Sequence, residues 1–298
     1  MLAAGWLWVV ITVIASAGQT GRNAMQRVLT RTVGTVGATL VRFLFGLPFG
    51  ILFLVSLTIF TKTPLPAFNL AFVLWVTLGA ISQIAATALM LMAMNERSFV
   101  VATAYIKTEP VLVAIFGLAF LGDALTIETA AAILIATTGV MMMSWTRGAA
   151  SPSLKPLLFG IGAAALFGIS AVAFRGAIKS LDTNWFVMAA TFSLAIGLAI
   201  QTGLLMIYLV LFDRSSLAAI LRAWRPSVLA GFMGAASSQC WFLAFALTSA
   251  ANVRTLAVIE VLFAQVISRR LFDQKNSTRE FAGILLVVGG IALLLWAH

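Results

Sequence analysis

Apolar runs of about 20 residues, the length that carries a helix across a hydrocarbon core, follow one another through this chain almost from end to end. They are parted by short polar turns such as "TKTPLP" at 61–66, "MNERS" at 94–98 and "RAWRP" at 222–226. No water-soluble surface can be covered from this supply. Of 298 residues, 62% are apolar and 9% charged, against about 25% charged in an ordinary soluble domain. Backbone in hydrocarbon must satisfy its own polar groups, so the fold class is all-α, a polytopic membrane protein. The runs predict ten transmembrane helices, over 3–21, 34–60, 69–94, 98–121, 126–145, 156–174, 184–212, 226–247, 252–271 and 280–297. "MLAAGWLWVV" has no positive region before its apolar run, so 3–21 is read as the first span and not as a cleaved leader. The turns are too short to hold an extramembrane domain, which puts any site within or between the helices.

The formal net charge of +10 does not point to nucleic acid, because the basic residues are scattered between apolar runs and not gathered on one surface. They bear instead on orientation. With Arg22, Arg42, Lys107, Arg175 and Arg254 set aside as within or at the ends of spans, and Arg269 and Arg270 counted with the loop they adjoin, 12 Lys and Arg fall on odd-numbered loops, and only Lys62 and Lys179 on even ones. An excess of basic residues marks cytoplasmic loops. The charge rule therefore puts Arg269, Arg270, Lys275 and Arg279 in the cytoplasm and both termini outside. A carboxy-terminal alkaline phosphatase fusion is expected to be active in cells; an inactive one beside a fluorescent green-protein fusion would reverse the orientation.

The chain repeats itself. Shifted by 151 positions, 109–145 falls on 260–296 without a gap, so that Glu109 meets Glu260, Gly139 meets Gly290 and Trp145 meets Trp296. Nearby shifts pair "SQ" at 82–83 with "SQ" at 238–239, and "RNA" at 22–24 with "RGA" at 175–177. The expected halves are 1–148 and 149–298. An odd number of spans in each makes the second copy enter the membrane inverted, a plan that places substrate between the halves of secondary transporters.

Several short motifs carry a family likeness: "EP" at 109–110, "LGDALT" at 121–126, "ILIATTGV" with Gly139, Arg42 in the second span, and looser copies around Glu260, "FDQKNS" and "ILLVVGGI". Together they resemble the ten-helix branch of the drug/metabolite transporter superfamily, built from two EamA-type repeats. The resemblance implies a secondary transporter in the cell (inner) membrane, usually exporting amino acids or similar small metabolites. It also implies termini inside, against the charge rule.

Polar residues within the spans are the candidate site. Glu109 and Glu260 are central in theirs, where a charge is expensive and marks a pathway, a relay or a partner; the bland reading has each neutralised by Arg42, Lys107 or Arg254. Tyr105, four residues before Glu109, is expected on its side of the helix, with Lys107 facing a neighbour. Pro110 is expected to kink the span. Gln83 and Gln239 suit either helix-to-helix hydrogen bonds or a substrate's polar groups. Arg22 and Arg175 are read as ends of the first helix in each half, reaching for headgroups. No set of His, Cys and acidic residues has metal-ligand spacing, and no phosphate-binding glycine loop is present; neither a cofactor nor enzymatic chemistry is expected. The leading expectation is a transporter of a small-molecule substrate, with proton coupling at Glu109 as its test. The alternatives are a non-transporting membrane partner subunit and an intramembrane lipid-modifying enzyme.

Overall fold

The structure, a computed structural model, describes residues 2–96, 105–144, 154–183, 185–263 and 278–297, and those residues form helices and connecting turns with no strand. Helix α1 (Leu2–Leu44) contains the first departure from expectation. The segment 22–33 holds neither Gly nor Pro and is rich in good helix formers, so the helix runs on past Arg22 to Gly34. There the backbone takes φ 70° and ψ 174°, a region that essentially only glycine occupies. The Gln26 side-chain amide donates to Ala38 O at 3.1 Å across this break, tying its two arms together. Arg22 is therefore inside a helix and not at its end, which corrects its reading as a headgroup anchor.

The chain continues as α2 (Leu47–Thr61), α3 (Leu70–Glu96), α4 (Glu109–Phe116, passing into a π-helical turn at Gly117–Leu121), α5 (Ile127–Ser144), α6 (Leu154–Ser180), α7 (Phe186–Phe212), α8 (Arg214–Arg222), α9 (Trp224–Leu247), α10 (Ala250–Leu256, passing into a 3-10 turn at Ala257–Ile259) and α11 (Thr278–Trp296). Trp6–Thr61, α3, α6, α7 and α9 are long and apolar enough to cross a membrane, and Glu109–Leu121, Ile127–Met142 and Phe281–Trp296 are shorter apolar helices. Parts of the fourth and ninth expected spans, 98–104 and 264–271, lie outside the described residues. Helix α8 fills most of the connection between α7 and α9, which "RAWRP" suggested was a plain turn. Asp213 accepts from Ser216 N at 3.2 Å and so caps it, as a short side-chain acceptor does before a first helical turn.

Three helix pairs share the most extensive contacts: α3 with α6, α5 with α11, and α1 with α9. Exchanging the halves turns the first of these into the third and leaves the second unchanged, as a pseudo-two-fold axis requires. Each pair is antiparallel. At one end of the α3–α6 pair Asn69 donates to Ser180 O at 2.6 Å, and at the other Lys155 meets Glu96 at 2.6 Å. Ser237 donates to Ala15 O at 2.8 Å while Gly21 faces Met233. Gly139 faces Gly283 and Val287, and Gly290 faces Ala132 and Ala136. Helices α5 and α11 are equivalent under the 151-residue shift yet run oppositely, which is the relation an inverted repeat demands. Large apolar side chains such as Phe60, Leu70 and Phe212 cover the outside, where lipid and not water is the matching solvent.

Candidate functional site

Both central glutamates sit just after an interruption in their helices. In the first half the chain turns at Lys107 and Thr108, with Thr108 N–H donating to Tyr105 O at 3.4 Å, and helix resumes at Glu109. In the second half a 3-10 turn occupies Ala257–Ile259 and helix resumes at Glu260. Tight turns within a helix often mark a functional hinge. Pro110 occupies the first turn of α4, where its missing N–H removes no helical bond. The expected mid-helix kink is thus a helix restart, and it recurs at Glu260 without a proline.

The two interruptions face each other, and each glutamate is met by the cation of the other half. Lys107 Nζ contacts Glu260 Oε2 at 2.6 Å, while Gln19 Nε2 donates to Glu260 Oε1 at 2.8 Å. Arg254 Nε approaches Glu109 Oε1 at 3.0 Å. The contacts are not equivalent: Glu109 Oε1 and Arg254 Nε are close enough to attract but not aligned for a hydrogen bond, so both keep that bond unmade. Arg254 also lies over the Trp241 ring, 4.5 Å from its centroid, an arrangement that holds a guanidinium against an aromatic face.

Between these pairs is a cavity of about 20 Å³ with a polar wall of Gln19, Arg22, Asn23, Lys107, Glu109, Arg254 and Glu260. Met90, Met94, Ile106 and Phe167 form the apolar wall. That volume holds a water or two. Of the candidates, Glu109, Glu260, Lys107, Arg254 and Arg22 are brought together. The others are placed elsewhere. Arg42 donates to Thr87 Oγ1 at 3.0 Å. Gln83 accepts from Gln201 Nε2 at 2.8 Å, and Gln239 donates to Thr191 Oγ1 at 2.9 Å, so both amides bind α7 to its neighbours. Tyr105 packs on Gly160 of α6, because the turn at 107–108 breaks the helical phase that would have set it beside Glu109. Arg175 does not reach for headgroups. It meets Asp123 at 3.2 Å, and its Nη1 donates to Phe245 O at 2.5 Å and to Thr248 O, fastening the carbonyl end of α9, where cations are favoured.

Gln19 and Asn23 escaped the sequence reading, although the signal was there. Ser16, Gln19, Asn23 and Gln26 recur at three- and four-residue steps, a polar stripe along one face of a membrane helix.

A two-repeat helical membrane protein with interrupted helices meeting at a buried polar cavity belongs to the transporter class of architectures. The chain belongs to the EamA-like transporter family, whose pattern it matches over residues 3–145 and again over 154–296, and it is accordingly a membrane transporter of the drug/metabolite type. A solved structure described as "Crystal structure of protein" superposes with a TM-score of 0.71 at 15% identity, covering 98% of this chain and 95% of the other; at that identity the likeness is one of fold. A search of curated proteins found no match.

Proposed function

We propose that this chain is a secondary active transporter that exports amino acids or related small metabolites across the cell (inner) membrane by alternating access, in exchange for protons. The observation that carries the reading is the reciprocal pairing of Glu109 with Arg254 and of Glu260 with Lys107, across the two helix interruptions and beside the cavity. Halves 1–148 and 149–298 rock about this junction, and the ion pairs part on one side as substrate enters from the other. A non-transporting partner subunit would have no use for a buried polar cavity.

Glu109 is the proton-carrying group of the pair. Its contact with Arg254 lacks hydrogen-bond alignment, whereas Glu260 is held by both Lys107 and Gln19. The charged groups facing it are Arg254, Lys107 and Glu260. Glu109→Gln keeps the shape and removes the titration. In proteoliposomes this variant is expected to exchange substrate at equilibrium while its net transport no longer responds to a pH gradient. Unchanged pH dependence would make Glu109 a purely structural carboxylate.

A further inference from the structure

The charges buried within the helical bundle do not balance. Four cations are enclosed, Arg22, Arg42, Lys107 and Arg254, at 1, 3, 5 and 7% exposure, against two carboxylates, Glu109 and Glu260, at 5 and 4%. Among the described residues no other acidic side chain is buried. Glu96, Glu128, Asp182 and Asp213 are near water or exposed, and Asp123 is engaged by Arg175. Lys107 and Arg254 pair with the two glutamates, which leaves Arg22 and Arg42 with neutral hydrogen-bond partners. Arg22 donates through Nε and Nη2 to the Asn23 side-chain oxygen, at 3.3 and 2.8 Å, and its Nη1 has no hydrogen-bond partner. Arg42 has the Thr87 hydroxyl and the Phe43 ring. The stems of the two arginines run side by side over Gly234, where an added Cβ would lie 3.4 Å from Arg42 Cγ and 3.5 Å from Arg22 Cδ. Gly234 thus leaves the room that lets two like charges enter the bundle together.

Two neighbouring guanidiniums in a water-poor interior are unfavourable unless a counter-charge is supplied, and among the described residues the one carboxylate acting on Arg22 is Glu260, already engaged by Lys107 and Gln19. We propose that the counter-charge is the substrate: a small organic acid of net negative charge, its carboxylate bound by Arg22. Guanidinium is the side chain best matched to a carboxylate, through parallel charged hydrogen bonds, and Arg22 lines the cavity. The Met90 and Met94 side chains opposite are long and unbranched, suited to yielding as the cavity opens. A zwitterion of zero net charge would leave the surplus uncompensated, and a cation would add to it. The inference rests on the transporter reading above and narrows its substrates to acids, acidic amino acids among them.

The test uses the full chain in nanodiscs and proteoliposomes, with four probes at constant ionic strength: succinate, aspartate, alanine and putrescine. Thermal unfolding reports binding, because a ligand that binds the folded form alone raises the melting temperature; counterflow reports transport. Succinate or aspartate is expected to stabilise the protein and to exchange, with alanine and putrescine doing neither. Arg22→Gln should weaken the apparent affinity for the acid about 10- to 100-fold, and Arg22→Lys should restore part of it. If Arg22→Gln does not fold, the order of the four probes on the wild-type protein decides the matter. Binding or exchange of alanine or putrescine in preference to the acids overturns the acid-substrate inference and leaves the transporter reading intact. Stabilisation by an acid with no counterflow of any probe keeps the anion site and removes the transporter reading. Failure of both acids to bind overturns the inference.

Discussion

Lys107→Met is expected to destabilise the protein by about 3–5 kcal/mol, and the double variant Lys107→Met/Glu260→Gln to recover most of that loss. The reason lies in what each change leaves behind. The single substitution strands the Glu260 carboxylate, 4% exposed, with only the Gln19 amide on it. The double substitution removes both charges, and an uncharged pair of similar volume in a buried site is often as stable as the ion pair it replaces. Unfolding measured in nanodiscs for wild type, both single variants and the double variant gives the coupling directly. A double variant no better than Lys107→Met would mean that the 2.6 Å contact is not what holds the two halves together here. The double variant should nonetheless fail to transport, since stability and gating draw on the pair differently.

The second large effect is expected at the helix pair that maps onto itself when the halves are exchanged. An added Cβ at Gly290 would lie 2.7 Å from Ala136 N and 2.9 Å from Ala132 O, and at Gly139 it would lie 2.7 Å from Gly283 O and 2.8 Å from Val287 N. These are backbone atoms, which cannot swing aside as a side chain can. Small residues are what let membrane helices approach so closely. Gly290→Ala and Gly139→Ala should therefore each cost about 1–3 kcal/mol or more by overpacking, despite alanine's better helix propensity. Gly289→Ala is the control, because nothing lies within 4 Å of its added Cβ; it should be neutral or slightly stabilising. Equal melting temperatures for the Gly289 and Gly290 variants would contradict the close approach of α5 and α11.

The reciprocal ion pairs also explain why membrane helices carry Lys107, Glu109, Arg254 and Glu260 at all. A charge in hydrocarbon is expensive alone, but here each is met by its opposite from the other half. Arg175 and Asp123 add a fastening between the halves, together with the carbonyl end of α9.

The sequence by itself determined the class of protein, because length and apolarity of the runs are set residue by residue and hydrocarbon admits only helices there. It also determined the repeat, since Glu109 and Glu260, and Gly139 and Gly290, stand at one fixed interval. It singled out the buried charges, since any ionisable residue in such a run is conspicuous. Partnership was decided only by the tertiary structure. A carboxylate and its cation are chosen by proximity across helices, here 153 residues apart for Lys107 and Glu260, and no local pattern encodes that distance. The fate of Arg22 followed the same logic. Its surroundings depend on α1 remaining helical as far as Gly34 and on α9 leaving space at Gly234, so a residue that reads as a headgroup anchor in one dimension becomes a buried charge in three.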